Sequence, residues 1–124
     1  MANRNFNRKQ SLDKEIKEIY AKVTIGASGA PTLVAADSTG VASISRSSAG
    51  LYVLTLQDKY MKLRHADIMV VTPDAEDIVA NVSSESVASA KTVTFRCTAA
   101  GVAADPASGD SFLISLQLKN SSAR

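Results

Sequence analysis

The two residue types best suited to act as a base or a nucleophile near neutral pH each occur once in this sequence: His65 and Cys97. A serine hydrolase would need His65 as its base and an elbow around the serine, but the sequence holds no Gly-x-Ser-x-Gly segment. Cys97 alternates with Val93 and Phe95, which predicts an inert thiol in the core. A single cysteine and a single histidine exclude a disulfide framework, a multi-cysteine zinc site and a multi-histidine metal site.

The other candidate groups lack the spacing that their chemistry requires. The glycine-rich turn at residues 26–29 is not followed by the Gly-Lys-Ser/Thr of a phosphate-binding loop. Asp74, Glu76 and Asp77 could coordinate a hard cation, but they lack the calcium-loop spacing and its closing glutamate. Tyr60 has basic neighbours, which we interpret as a solvated helical face rather than a nucleic-acid platform. We therefore predict a protein that is not an enzyme, with no catalytic residue, cofactor or metal site.

The charge of the chain is concentrated at its start. Fourteen Lys and Arg residues against twelve Asp and Glu residues give a net charge of +2, too small to indicate nucleic-acid binding. Residues 1–10 contain Arg4, Arg8 and Lys9 and no acid, with Phe6 as an apolar anchor. So few apolar residues cannot order a segment by burial. We predict an arm that orders on a partner, and the alternative is a frayed terminus.

Membrane insertion is not expected from the hydropathy pattern. The longest apolar run is about four residues, whereas a membrane-spanning helix needs roughly 20. The first residues also lack the apolar stretch of a secretory signal peptide.

Residues 11–18 have the pattern of a short amphipathic helix that follows the arm. Ser11 can cap the free amides, and Leu12, Ile16 and Ile19 recur at i, i+4 and i+7 as one apolar stripe. About three helical turns are marginal alone, so the stripe must dock on the body or on a sister subunit. We assign these three residues to an oligomer interface. The predicted division is residues 1–18 as arm and helix, and residues 19–124 as a single β domain with a short polar C-terminal tail.

The body, from about residue 19 to residue 119, is punctuated by turns every 8–12 residues or so, as in a sandwich or barrel. Two segments do not fit this spacing of turns. Residues 58–65 predict one or two helical turns, and residues 68–72 predict a strand buried on both faces. The fold class predicted is all-β, an antiparallel β-sandwich or barrel-like body of about seven or eight strands. Alternating apolar positions predict one core, formed by Leu54, Val93, Phe95, Cys97, Phe112, Ile114 and Leu116.

Several segments resemble one class of protein, and together they span most of the chain. They are MANRNF at residues 1–6, AKVTIGASGAPTL at 21–33, SISRSSAGLYVLTLQDKY at 43–60, DPASGD at 105–110 and LQLKNSS at 116–122. These segments resemble small structural proteins of tailed-bacteriophage particles, and the family implied is the capsid decoration, or cement, proteins. The resemblance implies a β-rich protein on the outer face of an icosahedral shell, often a trimer at its threefold positions, without catalytic residues.

The resemblance and the basic arm together predict a virion structural protein on the capsid surface. Its expected partners are the major capsid protein and further copies of itself, in a homotrimer or, failing that, a dimer; nucleic acid and membrane are not expected. By bridging capsid subunits it would stabilise the shell, and the residues expected to bind the capsid are Arg4, Phe6, Arg8 and Lys9. Two alternatives stay open: another virion component such as a head-fibre base or tail protein, and a carbohydrate-binding β-sandwich module.

Overall fold

The structure, a computed structural model, describes residues 16–73 and 78–119, and there the chain forms nine β-strands and no α-helix. Every strand pairing is antiparallel, which confirms the predicted all-β class. The strands are β1 Ile16–Ile25, β2 Pro31–Leu33, β3 Val41–Ser48, β4 Leu51–Leu56, β5 Lys62–Val71, β6 Ile78–Ser86, β7 Thr92–Ala99, β8 Val102–Ala103 and β9 Ser111–Lys119.

The strands form two sheets, which we name sheet A and sheet B. Sheet A has the strand order β2-β1-β9-β5, and sheet B has the order β3-β4-β7-β6, with β8 paired to the end of β7. A long pairing joins the first strand to the last, from Ile16 opposite Lys119 to Thr24 opposite Ser111. Because β9 lies between β1 and β5, sheet A depends on contacts between distant parts of the sequence.

The core lies between the two sheets and is built from alternate residues of their strands. Three fully buried aromatic rings join them: Tyr52 of β4, Phe95 of β7 and Phe112 of β9, with ring centroids 5.2–5.6 Å apart. Burying each such apolar side chain contributes about 1.5–3 kcal/mol. All seven predicted core residues are buried, because their alternation places every second side chain on the inner face.

The predicted helix over residues 11–18 is wrong where it can be compared, because Ile16, Lys17 and Glu18 belong to β1 and pair with β9. Residues 11–15 lie outside the described residues. Backbone pairing with β9 and the burial of alternate residues outweigh the weak local helix signal. Ile16 and Ile19, three positions apart in a strand, lie on opposite faces and form no common stripe.

Two further expectations are corrected near β5. Residues 58–61 form a bend and residues 62–65 begin β5, so no helical turns form there: the Tyr60 amide donates to the Val87 carbonyl at 3.0 Å. The apolar run at 68–72 is not buried on both faces, since Met69 is 57% exposed and Val71 is 43% exposed. An apolar run does not by itself distinguish a central strand from an edge strand, and β5 is the edge of sheet A.

Candidate functional site

One polar cluster ties three loops together around Asp105, and we call it the Asp105 cluster. Arg46 donates from Nε to Asp105 Oδ1 at 3.0 Å and from Nη2 to Oδ2 at 2.8 Å. The Gly50 amide donates to Oδ1 at 2.8 Å. The Tyr52 hydroxyl lies 2.9 Å from the Gly29 carbonyl oxygen and 3.2 Å from Oδ1. The Asp105 carboxylate thus links the loop before β9 to the β3–β4 turn, and the Tyr52 hydroxyl links the loop after β1 to the same cluster.

The electrostatics of this cluster favour an ionised Asp105. The hydrogen bonds from Arg46 hold the pKa of the Asp105 carboxyl below its usual value, and the Gly50 amide adds to that effect. Burial raises the pKa of the Tyr52 phenol, and the charge of Asp105 raises it further. Since both oxygens already accept bonds from the protein, the cluster is suited to holding loops together rather than to binding a ligand.

The residues singled out for chemistry are not brought together. Cys97 is fully buried, and burial raises the pKa of its thiol to about 12, so the predicted core thiol is confirmed. His65 is exposed on β5, opposite Gln117. Asp74, Glu76 and Asp77 lie outside the described residues. Across residues 16–73 and 78–119, no three His, Cys, Asp or Glu side chains are grouped closely enough to hold a metal ion.

The outward side of sheet A presents a second kind of surface, which we name outer face A: the side chains of β1, β9 and β5 that point away from the core. The register places them in rows of three across the strands. One row is Lys22, Leu113 and Met69, and the next is Tyr20, Ser115 and Asp67. Tyr20 is 49% exposed, Met69 57% and Leu113 43%, so the centre of this face is apolar and open to solvent.

A depression of about 460 Å³ lies on outer face A, between these rows and the 3-10 turn at Ala35–Asp37. Three charged side chains line it: Lys22, Asp37 and Asp67. Within the described part of the chain none of the three forms an ion pair; the ion pair found there joins Arg46 to Asp105. The Tyr20 hydroxyl at its rim donates to Glu18 Oε2 at 2.8 Å, a bond that raises the pKa of Tyr20.

The outward side of sheet B, which we name outer face B, has a different chemistry. Its rows across β3, β4, β7 and β6 are dominated by hydroxyls. The hydroxyl residues are Ser43, Ser45, Thr55, Thr92, Thr94, Ser84 and Ser86, and Val53 lies among them, between Ser45 and Thr94. The next row contains Leu51, Arg96 and Asn81, and the Arg96 Nη2 donates to Ser83 Oγ at 3.4 Å. Outer face B is therefore mostly neutral and polar, whereas outer face A combines exposed apolar side chains with unpaired charges.

The sequence-predicted site residues are distributed as follows. Arg4, Phe6, Arg8, Lys9 and Leu12 lie outside the described residues. Ile16 is half-buried at the start of β1, and its register places it on outer face A. Ile19 is fully buried in the core of the chain itself, so its side chain is not available to a second subunit. The assignment of Ile19 to an oligomer interface is therefore corrected.

Sequence reasoning missed outer face A, because Lys22 and Asp67 are distant in the sequence and only the β1–β9–β5 register brings them onto one surface. The alternation of residues in β9 offers one signal. It places the even-numbered residues in the core, and Leu113, an odd-numbered apolar residue, then faces outward without a role in the core.

No helix in the described ranges is long and apolar enough to cross a membrane. Comparisons with protein-family models, with curated proteins and with solved structures find no match to this chain.

Proposed function

We propose that the protein is a non-enzymatic structural component of a bacteriophage particle, which binds the outside of the capsid and stabilises the shell by bridging capsid subunits. Outer face A is the observation that carries this proposal. A protein that works by assembly needs accessible binding surfaces, and this face offers exposed apolar side chains beside unpaired charges. The resemblance of the sequence to capsid decoration proteins suggests that the assembly is a phage capsid.

The polar groups of the body support a binding role rather than a catalytic one. Within the described residues, no buried side-chain nitrogen or oxygen lacks a hydrogen-bond partner. Asp105 carries a lowered pKa, but Arg46, Gly50 and Tyr52 already occupy its carboxylate. A reacting group that is fully engaged by its own fold has no free position for a substrate.

Stabilisation of a shell by such a protein follows from mass action. A protein that binds the assembled shell and not its free subunits stabilises the shell by its binding free energy at every equivalent site. Bridging adjacent subunits adds avidity, so each contact can be modest. In this proposal Arg4, Phe6, Arg8 and Lys9 contact the capsid, the arginines pair with acidic shell residues, and the copies form a homotrimer on the capsid surface.

The test uses capsids of the phage that encodes this chain, prepared without the protein. Purified protein is added, and occupancy per capsid and the temperature of shell disruption are measured. We expect saturable binding and a higher disruption temperature. Replacement of Arg4, Arg8 and Lys9 by alanine should weaken binding most at raised salt, because such charges act through screened attraction.

The control is the triple replacement of Ser43, Ser45 and Ser84 by alanine on outer face B, which should leave occupancy unchanged. Absence of saturable binding by the unmodified protein would refute the capsid role itself. Unchanged binding after deletion of residues 1–10 would remove only the role of the arm. The position of the bound protein in imaged particles separates this function from that of a head-fibre base or tail component.

A further inference from the structure

We propose that outer face A is a two-fold docking surface for a second copy of this chain. This inference gives a specific partner to the same surface that supports the proposed function, and its test does not require capsids.

The apolar side chains are concentrated on this face. Eight large apolar side chains are exposed in the described residues, and four of them lie on outer face A: Tyr20, Met69, Val71 and Leu113. Leu113 and Met69 are direct cross-strand neighbours, and Val71 is two positions along the same edge of β5. Scattered exposed apolar residues need no explanation, but a contiguous group on one sheet face is the pattern of an interaction site.

The two charged residues nearest the apolar centre of this face are arranged so that they complement those of a second copy. The other charged residues that the register places on the face lie toward its far end: Glu18, Lys62 and Lys119. Lys22 on β1 pairs in register with Leu113, and Asp67 on β5 pairs with Ser115 two residues further along β9. The strand spacings place the Lys22 and Asp67 backbones about 12 Å apart, on opposite sides of β9, which is too far for a direct ion pair. Each copy thus presents an unpaired cation and an unpaired anion on opposite flanks of an apolar centre.

A two-fold axis between Leu113 and Ser115 exchanges those two flanks. It places Lys22 of one copy opposite Asp67 of the other, and the same contact is repeated by symmetry, as an isologous interface requires. Leu113 then lies at the centre, close to its symmetry mate. The strands of the two sheets cross steeply in this arrangement, which is one of the two ways in which sheets pack.

The size of the face sets the expected strength of the contact. Three strands form a strip about 14 Å wide, and two such strips that cross steeply overlap over roughly 200 Å² per copy. Two copies would bury about 400 Å² in total, which is below the range of stable specific interfaces. We therefore expect a weak, transient dimer that forms toward the upper end of the micromolar range, rather than an obligate one.

A second copy fits this surface better than an unrelated partner because of the charge arrangement. A partner of one sign would pair with Lys22 or with Asp67 and would be repelled by the other. A copy of the same face satisfies both residues at once, and the mixed surface disfavours other partners. Such a two-fold contact could form an isolated dimer or join copies that belong to neighbouring trimers.

The experiment is a charge exchange read by sedimentation equilibrium from roughly 10 µM to roughly 1 mM protein. The unmodified chain should dimerise. Lys22→Asp and Asp67→Lys should each weaken the association by about tenfold, because like charges then face each other twice. An equimolar mixture of the two variants should recover it, since in the mixed dimer every introduced charge faces an opposite one. Thr94→Lys on outer face B is the matched control and should leave dimerisation unchanged.

Several outcomes would overturn the inference. One is an unmodified chain that stays monomeric throughout; another is a mixture that associates no better than the separate variants. Dimerisation that survives both variants, while capsid occupancy falls, would assign outer face A to the shell instead. Thermal unfolding of each variant confirms folding, and Met69→Lys, at a largely exposed position, gives a second test that should also weaken the dimer. Capsid binding measured in parallel keeps failure of this inference distinct from failure of the proposed function.

Discussion

The Asp105 cluster and outer face A both place charged side chains near the surface, but they use them differently. At the cluster, Arg46 and Asp105 are about a third or less exposed and are joined by two hydrogen bonds. On outer face A, Lys22 and Asp67 lie beside exposed apolar side chains, and no ion pair within the described residues involves them. A charge that is saturated by its own chain holds loops in place, whereas an unsaturated one beside apolar surface is available to a partner. The comparison can be tested by changing each region and measuring stability and association separately.

The largest expected effect follows from the close packing next to the cluster. Gly50 has a φ of +70°, and a Cβ there would lie 2.5 Å from the Cys97 carbonyl oxygen and 2.9 Å from the Ala104 nitrogen. Both obstacles are backbone atoms, so Gly50→Ala must displace the β7–β8 hairpin and should lower the free energy of unfolding by about 3 kcal/mol or more.

Urea denaturation measures this loss, and Gly101→Ala provides the matched control. Gly101 has a φ of +81° but nothing within 4 Å of its Cβ position, so only the backbone strain remains. We expect a loss of about 1 kcal/mol there. Equal losses at the two positions would show that packing against Cys97 and Ala104 contributes nothing.

A smaller loss of stability is expected when the cluster loses its charge. Asp105→Asn keeps the shape of the side chain but removes the carboxylate that binds Arg46, Gly50 and Tyr52. The free energy of unfolding should fall by about 2 kcal/mol, because charge-assisted bonds are replaced by weaker ones. Dimerisation should not change.

The control for this substitution is the same change on outer face A. Asp67→Asn removes a carboxylate that forms no ion pair in the described structure, so stability should stay within about 0.5 kcal/mol while dimerisation weakens. If instead Asp67→Asn destabilises the fold and Asp105→Asn weakens dimerisation, then the Asp105 cluster is the binding region and outer face A is the stabilising one.

The pH dependence of stability follows from the lowered pKa of Asp105. The folded protein keeps this carboxylate ionised at a pH where the unfolded chain, with a pKa of about 3.9, binds a proton. The ionised Asp105 carboxylate therefore contributes fully to the free energy of unfolding above the unfolded pKa, and this contribution is lost as the pH falls through the folded pKa. The stability difference between the unmodified protein and Asp105→Asn should shrink below about pH 4, as measured by urea denaturation in acidic buffers. A difference that stays constant down to pH 2 or so would contradict the lowered pKa of Asp105.

The sequence predicts the inner faces of the strands better than anything outside them. Val93, Phe95 and Cys97 alternate with polar residues, and a period of two has one interpretation when one face is buried. Residues 16–18 fit a helical pattern locally, and they are in a strand because they pair with β9. Arg46 and Asp105 are 59 positions apart, so no local pattern indicates their contact. The same holds for Lys22 and Asp67, whose proximity depends on the strand order of sheet A.

The smallest expected effect concerns the second carboxylate in the depression on outer face A. Asp37 lines it together with Lys22 and Asp67, so two acids share it with one base. In the proposed dimer Asp67 faces Lys22, and Asp37 is left without a cation. Asp37→Asn should therefore strengthen dimerisation, by no more than about fivefold, because exposed charges interact by 1 kcal/mol or less. Sedimentation equilibrium at low salt measures the change, and Asp58→Asn, in the bend between β4 and β5, is the control with the same change in net charge. If both substitutions strengthen association equally, the effect is one of net charge alone, and Asp37 takes no part in the contact.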